Sequence, residues 1–525
     1  MQPVASTGGT LPGRGWLLKA CIFATGMSGV VAEYVMSTLA GYFLGNEVVQ
    51  FALVISVMLF AMGLGSRVSR RIDYHLLDTF IVLELALALL CGASALTVYA
   101  LASSYAAIGA VIYAFAFAIG LLIGLEIPLV TRINENYEEL RVNVSSVMEH
   151  DYYGALLGGL LFAFVALPYL GLTYTPIALG AVDGLVALVL FFRYRTVFEH
   201  RRALSIAVAA TPLILGGFAL TAEPIVLYGE QRGYRDPIVY QEQSRYQKIV
   251  MTQWRGDHWL YLNGNLQFST FDEVRYHEPL VHPAMQLAAS QQRVLLLGAG
   301  DGLAAREVLK YEDVAHVTLV DIDPAVTNLA RTHPVLREQN GDSLSDPRIE
   351  VRNEDAFTYL QRSREFFDVI IADFPDPKSI SLARLYSVQF YALVNRHLSP
   401  GGVVVTQATS PFFSQQAFLS VLKTVRAAGF TAVPYRNHVP TLGEWGFVLG
   451  VKPSEHRLLP ARALKGALEE ETFSGVATKF LNQDAMKHML NFGKDELAEL
   501  AGVKVSSELN HAVADYYRSG RWDLN

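Results

Sequence analysis

Cysteine is nearly absent from this 525-residue chain: Cys21 and Cys91 are the only two, both inside apolar stretches, so neither a disulfide framework nor a zinc site is available. Clustered positive charge is absent as well. The net charge is -7 and no Lys/Arg block occurs, which removes nucleic acid as an expected partner. No Walker-type lysine follows the glycine turn at Gly298–Gly302, so a nucleotide held by its phosphates is not indicated. Charge of either sign is also scarce over long runs such as VVQFALVISVMLFAMGLGS (48–66) and ALSIAVAATPLILGGFAL (203–220). Each of these matches the roughly 20 residues that cross a bilayer.

What is present divides at Glu223. The 52% hydrophobic content is concentrated before it, and the residues after it read as a soluble α/β protein. Seven membrane spans are expected, at about 17–43, 48–66, 79–101, 104–131, 152–170, 172–192 and 203–220. The first is too long and too closely followed by others to be a cleaved signal peptide. Arg67, Arg70, Arg71, Arg132, Arg141, Arg193, Arg195, Arg201 and Arg202 fall in alternate loops, which are therefore expected to be cytoplasmic. Seven crossings from a cytoplasmic N-terminus would put the soluble half outside, where an intracellular nucleoside is unavailable. Either the seventh segment, interrupted by Pro212 and Gly216-Gly217, crosses incompletely or one charge signal misleads. The expectation is a multi-pass protein of the cell membrane, in contact with the lipid bilayer, with a cytoplasmic C-terminal domain.

Glu33, Glu84, Glu126 and Asp183 lie within the apolar spans. Charge at that depth is costly, so contacts to a cationic solute and pairing with polar neighbours are both open. Pro128, directly after GLEI, suggests a broken helix at a cavity.

The expected organisation is a helical membrane domain (1–222), a small antiparallel β domain (223–286), a Rossmann-like, doubly wound α/β domain of methyltransferase type (287–450) and a helical tail (451–525). Alternation around RGD (255–257) and NGN (263–265) supplies the hairpins. Strands RVLLLGAG (293–300), HVTLVDID (316–323), RIEVRNED (348–355), FDVIIADFPDP (367–377) and GGVVVTQAT (401–409) alternate with helical stretches. Ligands of such folds bind beyond the carboxyl ends of the strands, where Asp301, Asp321, Asp355, Asp373 and Asp376 converge. Asp323, directly before Pro324, is better read as a helix cap. Asp321 stands about 20 residues past the glycine turn, where an acid binds ribose hydroxyls, and Asp355 suits an adenine amino group.

Asp301 is unusual because a helix N-terminus ordinarily receives its anion from the ligand. S-adenosylmethionine carries a carboxylate and would be repelled. Its decarboxylated form ends in an ammonium and would be attracted. An acidic crevice with no basic partner at these strand ends also favours an amine as second substrate.

YQKI, LYLNGNLQFSTFDEVRYHEPLVH, GAGDG, LVDID, NEDAF, DFPDP and LYSVQFY, in that order between residues 240 and 450, resemble the polyamine aminopropyltransferases, the spermidine synthase family. VPTLGEWGFVLG (439–450) and ELNHAVADYY (508–517) are similar to the branch fused to a multi-span membrane domain. The resemblance implies that decarboxylated S-adenosylmethionine is the co-substrate and that no metal is needed. Gln247, Asp321 and Asp355 would hold the nucleoside, with Gly298, Gly300 and Ala356 completing that side. His277 and Asp301 would take the aminopropyl or amine portion. Tyr276 and Tyr386 would line the acceptor channel, Asp373 would be the base, and Asp376 would stand beside it. Core roles for the two tyrosines and a structural role for His277 are the alternatives.

The resemblance departs at Phe374-Pro375, at KSIS (378–381) and at Leu442, where a tyrosine is expected. Putrescine is therefore the inferred acceptor. A lipid-linked amine, or a polyamine transporter or sensor with a non-catalytic domain, are the other readings, and a homo-oligomer is open.

Overall fold

The computed structural model describes residues 15–44, 47–101, 105–135, 139–453 and 460–522. Residue 104 of the expected fourth span, and the outer ends of the expected first and last domains, lie outside them. The chain forms two compact units that divide between Pro237 and Ile238.

The first unit contains α1 (Gly15–Leu44), α2 (Glu47–Ser69), α3 (Leu76–Ala100), α4 (Tyr105–Asn134), α5 (Leu140–Leu161), α6 (Gly171–Tyr194) and α7 (Arg201–Arg232). A π-helical segment, Phe162–Leu170, joins α5 to Gly171, whose φ of 62° turns the chain into α6. Among the described residues six continuous stretches are long and apolar enough to cross a membrane, the fifth of them, Leu140–Tyr194, holding both α5 and α6. Glycine sets their packing. A Cβ on Gly124 would lie 2.1 Å from the Met62 carbonyl, on Gly154 2.0 Å from that of Phe23, and on Gly180 2.3 Å from that of Ala88. The backbones of α2 and α4, α1 and α5, and α3 and α6 therefore touch, which is how apolar helices associate where a lipid-like exterior gives no hydrophobic drive.

Two sequence expectations change here. α4 runs unbroken through Pro128, and α7 runs through Pro212 and Gly216-Gly217 to Arg232. Neighbouring helices tolerate such residues where the chain is packed in an apolar unit. Glu84, Glu126 and Asp183 are buried on α3, α4 and α6, whereas Glu33 is half-buried. Thr25 stands beside Glu126 and Ser28 beside Asp183, yet among the described residues both oxygens of Glu84, Oε1 of Glu126 and Oδ1 of Asp183 have no hydrogen-bond partner.

The second unit opens with an antiparallel sheet of β1 (Ile238–Gln243), β2 (Lys248–Trp254), β3 (Asp257–Leu262) and β4 (Asn265–Ser269) in sequential order. Asn263 (φ 49°) and Gly264 (φ 76°) make the tight turn that the NG pair predicts. The expected β region gives way to helix earlier, at α8 (Val274–Leu287). The large sheet follows with β5 (Arg293–Gly298), β6 (His316–Asp321), β7 (Ile349–Asn353), β8 (Phe367–Asp373), β9 (Leu398–Gln407), β10 (Thr431–Val439) and β11 (Gly443–Val451). Its order is β10-β11-β9-β8-β5-β6-β7, with β5 to β9 parallel and β11 antiparallel to both neighbours. This is the Rossmann-like sheet of methyltransferase type. Every expected parallel strand is present, because the inner ones are largely apolar runs that helices can cover on both faces, while β7, at the sheet's edge, alternates as Ile349-Glu350-Val351-Arg352.

The strand order reverses between β5 and β8, so the crevice opens beyond Gly298 and Asp373, which are paired in register. The tail is built into the same unit. Leu464, Leu468, Met486 and Met489 join the core on one face, and Val513 and Ala514 join it on the other.

Candidate active site

The turn after β5 is shaped by close approach. Gly298 (φ 80°) leaves no room for a side chain, since a Cβ would stand 2.0 Å from the Asp373 carbonyl, and one on Gly300 would stand 2.5 Å from Asp321 Oδ2. The Leu303 N–H donates to Asp301 Oδ1 at 2.9 Å, so the first turn of the following helix, Leu303–Val308, is occupied by the chain's own carboxylate. Burial raises the Asp301 carboxyl, and the charge of His277 offsets part of that rise. Asp321 accepts from the backbone N–H of Gly300 (3.1 Å) and Asp323 (2.8 Å), yet burial still pushes it up to about 6.

Asp323 caps the next helix through the Ala325 N–H at 3.0 Å, as the sequence suggests. It also receives Ser244 Oγ at 2.6 Å and Gln247 Nε2 at 3.0 Å, which brings Gln247 from the small sheet to the end of β6. Asp355 caps the helix Ala356–Arg362 by accepting from the Thr358 N–H and hydroxyl, both at 2.8 Å, and remains half-exposed. Capping therefore applies to Asp355 as well as to Asp323. Ala356 is buried as the first residue of that helix.

On the other side, α8 presents Tyr276 and His277 in succession. Tyr276 Oη donates to Asp373 Oδ1 at 2.6 Å. Burial pushes Asp373 up to about 6, with Asp301 adding to the rise and the Tyr276 hydrogen bond and His277 charge resisting it. His277 Nδ1 lies 2.9 Å from Glu273 Oε2, while Arg306 grips both Glu273 oxygens at 2.8 and 2.9 Å. Burial works against charge on both His277 and Glu273, but their mutual contact outweighs it. It lifts the imidazolium to about 9 and, together with Arg306, holds Glu273 down at about 2. His277 is thus cationic at neutral pH, with its charge balanced by Glu273.

Asp376 follows β8 in an irregular loop. Tyr517 Oη donates to its Oδ2 at 3.0 Å, and Gln407 Nε2 approaches Oδ1 at 3.4 Å. Burial pushes Asp376 up to about 6, while Tyr517, Lys378 and Gln407 hold it back. Tyr386 stands beneath this loop. Its hydroxyl donates to the carbonyls of Phe374 (3.2 Å) and Pro375 (3.1 Å) and receives Gln407 Nε2, so its hydroxyl is committed to the loop backbone. Phe374 is buried against Tyr386 and Phe390, and Leu442 packs on the sheet core.

Asp301, His277, Tyr276 and Asp373 come together at the switch point, and Asp321 and Asp376 flank them. Gln247 and Asp355 stand at the β6 and β7 ends. The crevice does have basic partners, contrary to the sequence expectation: His277, then Lys378, which lies in the loop after β8 and bonds Asn265 of the small sheet, and Arg384, 3.7 Å from Asp355 Oδ1. The carboxylates still outnumber these cations, since Glu273 neutralises His277 within the fold. Glu273, Arg306, Gln407 and Tyr517 were also missed. A search for acids at strand ends passes over the neutral Gln407, and only the tertiary fold joins the others to the crevice. A buried carboxyl near 6 beside a phenol can take a proton from a bound ammonium and release it to solvent. Among the described residues no group of three or more His, Cys, Asp or Glu is placed to hold a metal ion.

A family profile described as "Spermine/spermidine synthase domain" matches residues 273–459. The chain is 41% identical over 501 residues to "Polyamine aminopropyltransferase 2" of Aquifex aeolicus, covering 95% of this chain and 98% of that one. It is 42% identical over 447 residues to "Polyamine aminopropyltransferase 1" of Streptomyces coelicolor, covering 83% and 84% of the two. A solved spermidine synthase in complex with the transition-state analogue AdoDATO aligns at 25% identity and a TM-score of 0.45, over 51% of this chain and 89% of that one.

Proposed function

Because the chain belongs to the polyamine aminopropyltransferase family and is an aminopropyltransferase, we propose that it moves the aminopropyl group of decarboxylated S-adenosylmethionine to putrescine, at the crevice between β5 and β8. The observation that carries this is the Tyr276–Asp373 contact of 2.6 Å, with the carboxyl at about 6 and Asp301 beside it. Gln247, Asp321 and Asp355 hold the nucleoside, Gly298 and Gly300 let it approach the backbone, and Ala356 borders the base. Asp301 receives the ammonium of the propylamine arm, and His277 and Tyr276 fix the floor between the two substrates.

The acceptor enters as an ammonium, and Asp373 takes a proton from its reacting nitrogen. The free amine then attacks the carbon next to the sulfonium, the C–S bond breaks with its electrons passing to sulfur, and methylthioadenosine leaves as a neutral thioether. The sulfonium is a good leaving group, so orientation and proton removal supply most of the catalysis. Asp376 receives the far ammonium of the diamine.

Phe374 and Leu442, which motivate a lipid-linked acceptor in the sequence, are both absorbed in packing. A soluble amine is favoured. We further read the six apolar stretches as membrane spans, supported by large exposed apolar side chains such as Leu213, Leu220 and Phe164.

The test is methylthioadenosine release by the detergent-purified protein given decarboxylated S-adenosylmethionine and putrescine. Stoichiometric release with spermidine formation is expected. Release with aminolipid and not with putrescine would overturn the acceptor assignment.

A further inference from the structure

We propose that the C-terminal tail completes the acceptor half of the site, with Tyr517 as a positioning residue that fixes the Asp376 carboxylate for the cationic acceptor. The inference rests on the reading above that Asp376 receives the far ammonium. Tyr517 lies outside the segment matched by the family profile, which ends at residue 459.

The loop carrying Asp376 is irregular; the Lys378 N–H donates to the Asp376 carbonyl at 2.8 Å, and side chains set its carboxylate. Gln407 cannot do so alone. Its Nε2 is shared among the Phe374 carbonyl at 2.7 Å, the Tyr386 hydroxyl and Asp376 at 3.4 Å. The 3.0 Å bond from Tyr517 is shorter than that from Gln407. A phenol that orients a carboxylate must itself be held, and Tyr517 is. Its helix, Ala512–Arg518, buries Val513 and Ala514 in the sheet's core. Ser414 Oγ donates to the Tyr516 carbonyl at 3.2 Å, and the Arg521 N–H donates to the Phe413 carbonyl at 2.7 Å. The Trp522 indole N–H closes on the Tyr517 carbonyl at 2.9 Å, and its ring packs 4.6 Å from the tyrosine ring and 5.6 Å from Phe413.

The phenol is thus clamped between a buried helix and an aromatic stack, with its one donor spent on Oδ2. A free carboxylate would rotate among several orientations. This one presents its remaining lone pairs in a fixed direction, so an arriving ammonium meets a preset acceptor instead of ordering one. The tail thus brings a hydroxyl to Asp376 from a distant part of the chain.

Tyr517→Phe keeps the ring stack and removes only the donor. Steady-state kinetics of the full-length protein should show the putrescine KM rising about tenfold, the size of a lost hydrogen bond to a charged group, with kcat and the donor KM changed less than about twofold. Equal changes in donor and acceptor KM, a kcat collapse, or no change at all would overturn the proposal, because a general strut or an idle tail gives those patterns. Asp376→Asn provides the second arm. In that background Tyr517→Phe should add less than about a twofold effect, since both changes interrupt one contact. An undiminished effect there defeats the proposal. If Asp376→Asn leaves the putrescine KM unchanged, the assignment of Asp376 itself falls. If it raises that KM while Tyr517→Phe does nothing, only the role of the tail falls.

Discussion

The two units treat buried carboxylates in opposite ways. In the α/β unit, Glu278 accepts three backbone N–H groups, from Lys479, Phe480 and Leu481, at 2.6 to 2.8 Å, and Glu273 and Glu307 each meet a histidine and Arg306. In the helical unit Asp78 accepts the His200 N–H at 3.0 Å, but among the described residues both oxygens of Glu84, and one each of Glu126 and Asp183, face no donor. A buried polar group is costly unless it is satisfied, so the α/β unit uses its acids to fix geometry and proton affinity. The helical unit derives its cohesion from apolar packing and glycine crossings, and its acids oppose that cohesion.

The sharpest way to break the comparison is at Asp373. Asp373→Asn should bind decarboxylated S-adenosylmethionine normally and lose about 10³-fold in turnover, measured as methylthioadenosine release, because the amide cannot take a proton. Retained turnover would show that the Asp373–Tyr276 pair is only structural.

A smaller effect is expected with pH. Asp373 is protonated below its raised value of about 6 and ionised above it. The acidic limb of kcat/KM for the amine should therefore fall as pH drops through about 6, well above an ordinary carboxyl. A limb near 4 would mean that burial does not govern this group.

The smallest effect belongs to the helical unit. Glu84→Gln keeps the shape and replaces an unpartnered buried carboxyl with a permanently neutral amide, so the thermal midpoint in detergent should stay level or rise, by up to about 2 kcal/mol of stability, with turnover unchanged. A clear fall would show that Glu84 has a partner after all, and the contrast between the units would dissolve.

Much of the α/β unit was legible before the fold was seen. Parallel strands covered on both faces leave largely apolar runs, and most of these end on an acid, which is the signal that singles out Asp301, Asp321 and Asp373. β10 and β11 were not read as strands, since the sequence showed them only as a recurring motif. Pro128 and Pro212 misled because helix-breaking rules drawn from water do not carry over to a packed apolar bundle. Tyr517 was out of reach for another reason. It meets Asp376 from 141 positions away, and no local period encodes that contact.

If the acids of the crevice select a cationic propylamine arm, the decarboxylated nucleoside is preferred over the carboxylated one. Calorimetric titration of the purified protein with decarboxylated and ordinary S-adenosylmethionine tests it most directly. The decarboxylated form should bind at least about tenfold more tightly, the value of one repulsive carboxylate contact removed. Equal binding, or tighter binding of the carboxylated form through the His277 cation, would contradict it.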